Sequence, residues 1–168
     1  YNCSGSSMYC GFAPVGGNCI NYSISNGGCN EVSDYFNGTL MGNNYSISEL
    51  YIYRTRMDSN TGLFGITDSN SRIFNLTLSN VYITGDQDNF CHATGGIVGS
   101  NKGKIHSVKT SGTVDGSWTG GISGDSFGII SESQSYATVI NSVQTNWCIA
   151  SGGIVGTNTH IINNSFAR

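Results

Sequence analysis

The stretch Asn89-Phe90-Cys91-His92-Ala93-Thr94-Gly95-Gly96-Ile97-Val98-Gly99-Ser100-Asn101 recurs as Asn146-Trp147-Cys148-Ile149-Ala150-Ser151-Gly152-Gly153-Ile154-Val155-Gly156-Thr157-Asn158. Only His92/Ile149 changes chemical kind. A shorter copy, Thr119-Gly120-Gly121-Ile122-Ser123-Gly124, stands between them, and a weaker one, Thr61-Gly62-Leu63-Phe64-Gly65, precedes them. Self-similarity at a spacing of a few tens of residues is the signature of stacked repeats. After each copy comes a turn of small residues and then an extended segment: Ile73 to Ile83, Ile105 to Val114, Ile130 to Ile140. These segments place β-branched and apolar residues near every second position, which is strand periodicity with a bend in it. Units this short cannot bury a face alone, so they must stack, with inward side chains forming ladders along one core. The predicted fold is therefore all-β, a parallel β-solenoid. The competing β-sandwich has no need of one hexapeptide in phase three times. Gly95, Gly96, Gly99, Gly120, Gly121, Gly124, Gly152, Gly153 and Gly156 read as structural glycines, serving corners that need either positive φ or close approach of neighbouring coils.

Composition agrees. In 168 residues there are 24 glycines and one proline, only 10% of residues are charged, and the net charge is −3. Gly, Ser, Asn and Thr fill nearly half the chain, where a helical bundle would need Ala, Leu, Glu and Lys. Disorder is opposed by 38% hydrophobic and 11% aromatic residues. No apolar run approaches the roughly 18 residues that span a bilayer. Seven Lys and Arg in total do not make a nucleic-acid-binding footprint. The chain opens at Tyr1, which reads as a mature or trimmed fragment.

Six cysteines are present: Cys3, Cys10, Cys19, Cys29, Cys91 and Cys148. Four of them fall in a Gly/Ser/Asn-rich opening with few apolar anchors, and disulfides are the natural staple for such a segment. Their spacing contains no CxxC pair and no nearby histidine, so zinc is disfavoured. The chain divides into a disulfide-stapled, Cys-rich segment or cap at 1–34 and a repeat array at 35–168, with motifs near 62–65, 96–99, 121–124 and 153–156. Cys91 and Cys148 share a phase, and the coils that carry them are longer than the one between. Two long loops leaning together would bring them into a bridge; pairing of Cys91 with the N-terminal group is the rival.

Gly62-Leu63-Phe64-Gly65, Gly96-Ile97-Val98-Gly99, Gly121-Ile122-Ser123-Gly124 and Gly153-Ile154-Val155-Gly156 resemble GLUG motifs, and Phe36 to Ile52 is similar to the lead-in that precedes a first motif. The resemblance covers roughly 35–168. It implies a module of a large bacterial surface protein, adhesin or IgA-cleaving peptidase, in which the motif itself carries no catalytic residue.

No catalytic arrangement stands out in the sequence. His92, His106 and His160 form no HExxH, and no Gly-x-Ser-x-Gly elbow is present. Asp86, Asp88 and Asp115 follow the extended segments of adjacent repeats. They read first as solvated loop acids and second as a weak Ca²⁺ site; no other cofactor is expected. Asp68 and Asp125 are expected at turns, capping their own backbone. Phe90 and Trp147 match in phase and Trp118 lies in the corresponding stretch of the short coil. This suggests a lateral contact surface for a glycan or protein, against the plainer reading of a satellite core under the loops. Six N-glycosylation sequons, at Asn2, Asn21, Asn37, Asn44, Asn75 and Asn163, are permissive only.

The last segment, Ile161 to Arg168, ends midway through a strand with no polar cap. Such an end invites association unless something covers it, so the expectation is either a fragment of a longer protein or a coil completed by another subunit's chain. The sequence thus predicts a non-catalytic, extracellular or cell-surface β-solenoid for structural display or adhesion, binding a cell-surface protein, a glycan or copies of itself. The rivals are a subunit of a head-to-tail filament and the noncatalytic β-helix part of a surface peptidase or polysaccharide-active protein.

Overall fold

The structure is a computed structural model that describes residues 9–23, 28–54, 60–85, 91–143 and 149–168. Among the described residues every regular element is a strand. Three strands open the chain: β1 (Tyr9–Gly11), β2 (Asn18–Ser23) and β3 (Gly28–Ser33). A first coil follows, made of β4 (Thr39–Met41), β5 (Ser46–Ser48) and β6 (Tyr51–Arg54). The second holds β7 (Phe64–Ile66), β8 (Arg72–Phe74) and β9 (Thr77–Thr84). The third has four strands, β10 (Ala93–Gly95), β11 (Val98–Asn101), β12 (Lys104–His106) and β13 (Lys109–Asp115). The fourth repeats it with β14 (Trp118–Gly120), β15 (Ser123–Ser126), β16 (Ile129–Ser131) and β17 (Gln134–Ile140). The fifth has β18 (Ala150–Gly152), β19 (Val155–Asn158), β20 (Ile161–Asn163) and β21 (Phe166–Ala167).

Within the five coils, each strand pairs in parallel with a strand one coil away. Four faces result: β10-β14-β18, β7-β11-β15-β19, β4-β8-β12-β16-β20, and a fourth carrying β5 and β6, then β9-β13-β17-β21. Antiparallel pairing is confined, among the described strands, to β1 on β6 and the β2–β3 hairpin. A sandwich would be antiparallel throughout, so the stacked-coil expectation holds and the sandwich falls.

The core is a set of ladders. On the third face Leu40, Ile73, Ile105, Ile130 and Ile162 stand in register, and the middle three are fully buried. On the fourth face Ile52, Ile83 and Val114 form another, all 0% exposed. Each buried Ile contributes roughly 1.5–3 kcal/mol relative to an exposed one. No single coil could supply the column that shelters them.

Each long extended segment bends where one residue turns left-handed: Asn75 (φ 52°), Ser107 (φ 53°), Glu132 (φ 50°) and Asn164 (φ 48°), stacked at the corner between the third and fourth faces. The backbone N–H of Asn75, Ser107 and Glu132 donates to the carbonyls of His106, Ser131 and Asn163 of the following coil, at 3.0–3.1 Å. The motif glycines do something else. Positive φ at glycine occurs, among the described residues, only at Gly11, Gly16, Gly17 and Gly112. What the motif glycines serve is close approach: a Cβ on Gly124 would overlap the backbone N of Thr94, and one on Gly96 would overlap the carbonyl oxygen of Gly121. Of the two roles the sequence left open for them, packing is the one they have, and non-glycine residues turn the corner.

Candidate functional site

The coil geometry decides which side chains are displayed. On the third face buried and more exposed positions alternate, so the neighbours of the buried Ile ladder there form two outward ranks. One runs Thr39, Arg72, Lys104, Ile129, Ile161 and the other Met41, Phe74, His106, Ser131, Asn163. On the fourth face the Tyr51 and Tyr82 rings stack 5.5 Å apart and within 8° of parallel. Tyr136 meets Phe166 edge-on at 6.0 Å.

In the second rank three polar groups converge. His106 Nδ1 lies 2.9 Å from Ser131 Oγ, and its Nε2 lies 3.8 Å from a Glu132 carboxylate oxygen. Phe74 supports the imidazole edge-on at 6.1 Å. Serine, histidine and carboxylate are together, but on an open face and with the contacts reversed relative to the usual hydrolase order, in which the nucleophile meets Nε2. No catalytic motif in the sequence marks this group. Adding the 25-residue offset between Thr94 and Thr119 to His106 lands on Ser131, so the repeat itself held the signal.

A turn holds the first rank's edge. Asn101 is fully buried at the corner between the second and third faces; its Oδ1 accepts from Thr67 Oγ1 (3.0 Å) and its Nδ2 donates to Ser126 Oγ (3.2 Å). Lys102 follows, its backbone N–H donating to Thr67 Oγ1 at 3.0 Å and its ammonium lying 4.6 Å from the centre of the Tyr35 ring. Asp68 does cap its own turn, accepting from the Asn70 backbone N–H at 2.9 Å. That bond, with help from Ser69, Asn70 and the Lys102 charge, holds its carboxyl below the usual aspartate value. Asp125 departs from expectation. It is buried in β15, where it accepts from Thr157 Oγ1 of the next coil at 2.6 Å, a bond between coils rather than a turn cap.

Trp118 opens β14, half-buried, beside Ala93 and Ala150. Phe90 and Trp147 lie outside the described residues. Asp86 and Asp88 also lie outside, while the Asp115 carboxylate accepts from the Ser142 backbone N–H (3.0 Å) and Oγ (2.6 Å). Among the described residues no group of three or more His, Cys, Asp or Glu is placed to hold a metal. Cys91 is disulfide-bonded. Cys148 and Cys3 lie outside the described residues, and Cys10, Cys19 and Cys29 stand on β1, β2 and β3. A shallow cavity of about 520 Å³ lies beside the first coil, lined by Gly11, Phe12 and residues Ile47 to Tyr51.

Fold and surface together define a class: an all-β chain of parallel, stacked coils whose described outward side chains form ranks along the column. The chain is 40% identical over 97 residues to halomucin from Haloquadratum walsbyi (strain DSM 16790 / HBSQ001), a match covering 57% of this chain and 1% of that protein. It therefore spans a very small part of the curated relative it matches. No family model matches the chain, and no solved structure matches it. No helix among the described residues is long and apolar enough to cross a membrane.

Proposed function

We propose that the chain is an extracellular or cell-surface β-solenoid module of the GLUG type, serving structural display or adhesion without catalysis. The observation that carries this reading is the division of labour on the third and fourth faces: alternate residues build one shared column, and the others form ranks open to a partner. The partial match to a protein named as a halomucin supports an extracellular place. The filament reading ranks below display, because β1 lies antiparallel on β6 and Val15 bridges Phe64 at the start of the column. A head-to-tail partner would need those edges. The Ser131–His106–Glu132 group does not favour hydrolysis, because the His106 and Glu132 side chains are 38% and 57% exposed, open to water on the surface. For the cysteines, we propose local disulfides among Cys3, Cys10, Cys19 and Cys29 and a Cys91–Cys148 bridge; Cys91 is bonded, as that bridge and its rival, a bond to the N-terminal group, both require.

Fluorescently labelled chain added to intact cells of its source is expected to be retained saturably and to be displaced by unlabelled chain. Retention no greater than that of serum albumin overturns the adhesive reading. Peptide mapping without reduction is expected to return Cys91 linked to Cys148; a fragment joining Cys91 to any of the first four cysteines refutes that pairing.

A further inference from the structure

Positive charge on this acidic chain is concentrated. The net charge is −3 and there are seven Lys and Arg in all. Four of them, Arg72, Lys102, Lys104 and Lys109, are exposed on and beside the third face, with His106 half-exposed among them. Three belong to one coil. The run Lys102-x-Lys104-x-His106-x-x-Lys109 presents its basic groups outward across the third face and around the left-handed corner at Ser107. At about 3.3 Å per residue this stripe is on the order of 20 Å long.

Arg72 sits directly beside Lys104 in the parallel register of β8 and β12. Like charges at adjacent strand positions, roughly 4.8 Å apart, oppose pairing. Nothing in their rank relieves the repulsion, since the positions on either side are Thr39 and Ile129. Among the described residues no carboxylate makes an ion pair with Arg72, Lys104 or Lys109. The neighbouring acids stand at the margins, Asp68 near Lys102 and Glu132 beside His106. An unrelieved like-charge pair raises the local positive potential and so favours an external anion there. Phe74 lies next to His106 and offers an apolar ring within the stripe.

We propose that this stripe binds an acidic polysaccharide, its carboxylates held by Arg72, Lys104 and Lys109 and a sugar ring resting near Phe74. A nucleic acid fits less well: its charge density is high, and the chain's overall field is negative. The proposal goes beyond the adhesive reading, since a stripe that binds such a polymer does so whether or not the chain holds to cells.

The test is titration of the whole chain with polygalacturonate, with neutral dextran and single-stranded poly(dT) as comparisons, alongside thermal unfolding of each variant. Polygalacturonate is expected to bind, and to bind severalfold more weakly as salt rises from about 50 to about 300 mM, because the contacts are exposed charges. Arg72→Gln with Lys104→Gln is expected to weaken binding about tenfold or more while leaving the unfolding midpoint unchanged or raised, since the like-charge pair is gone. Lys104→Arg is expected to retain binding, and Lys109→Gln to weaken it with an unchanged midpoint. A merely structural role would move stability and binding down together, and that result overturns the proposal. So does absence of polygalacturonate binding, equal binding of dextran, tighter binding of poly(dT), or full binding by the double variant.

Discussion

At the scale of single residues, the same side chain has a very different value depending on its coil. Ile105 and Ile130 are fully buried between coils on both sides, whereas Ile162, the same rung in the fifth coil, is 37% exposed. Truncating Ile105 to Ala removes buried methyl groups from a site closed on both sides, and the expected loss is about 2–5 kcal/mol. Ile162→Ala is expected to cost about 1 kcal/mol or less, because part of that surface already meets water. Urea denaturation of the two variants checks the contrast. The corner residues make a second case. Asparagine tolerates the left-handed region better than other non-glycine residues, yet the fourth coil places Glu132 there with φ 50°. Glu132→Asn is expected to raise stability by up to about 1 kcal/mol, since the exposed contact with His106 that it sacrifices is worth little. A lower denaturation midpoint in that variant would show the carboxylate to matter more than its backbone.

At the scale of elements, the turn between β7 and β8 couples stability to acid. The Asp68 carboxyl titrates below its ordinary value because the Asn70 N–H donates to its charged form. Its contribution is therefore complete above the ordinary aspartate pKa and is lost as pH falls through the lower folded value. Asp68→Asn keeps a turn-forming side chain and removes the charge. Its stability is expected to fall less steeply than that of the parent between about pH 5 and about pH 2, as followed by denaturant titration at several pH values. Elements also show what was legible beforehand. The phase of Gly95-Gly96, Gly120-Gly121 and Gly152-Gly153 predicted the coil, and the bend in each extended segment was visible as a break in alternation. The left-handed corner was not legible, because Asn, Ser and Glu share no chemistry there and are united only by backbone position. Asp125 was misplaced for a related reason: an aspartate after glycine resembles a turn until Thr157 of the next coil is set beside it. The basic stripe was readable as alternation in Lys102, Lys104 and His106, but its partner Arg72 needed the register.

At the scale of the molecule, the two ends of the column differ. The first coil is covered in part by β1 on β6 and by Val15 against Phe64, and Tyr51 continues the order outward by stacking on Tyr82. In the fifth coil β19, β20 and β21 pair with one described neighbour each, and Ile161, Ile162 and Phe166 are exposed. In a quasi-one-dimensional stack, stability is a sum of coil and interface contributions, so a coil with one interface opens more cheaply than a coil with two. Each fully buried rung that a coil shares raises the free energy of opening by roughly 1.5–3 kcal/mol. Two such rungs, Ile122 and Ile130 of the fourth coil, lie between the third coil and the fifth. Native-state amide exchange reads that difference directly, since local opening free energies run from near zero at frayed ends to the global value in the centre. In the isolated 168-residue chain, amides of Lys104–His106 are expected to exchange at least about a hundredfold more slowly than those of Ile161–Asn163, a gap of about 2.7 kcal/mol. Mild denaturant is expected to narrow the gap by speeding the fifth coil least, because its opening exposes the least new surface. Uniform protection across both strands would mean that the coils open as one unit, and the additive picture of the column would have to be abandoned.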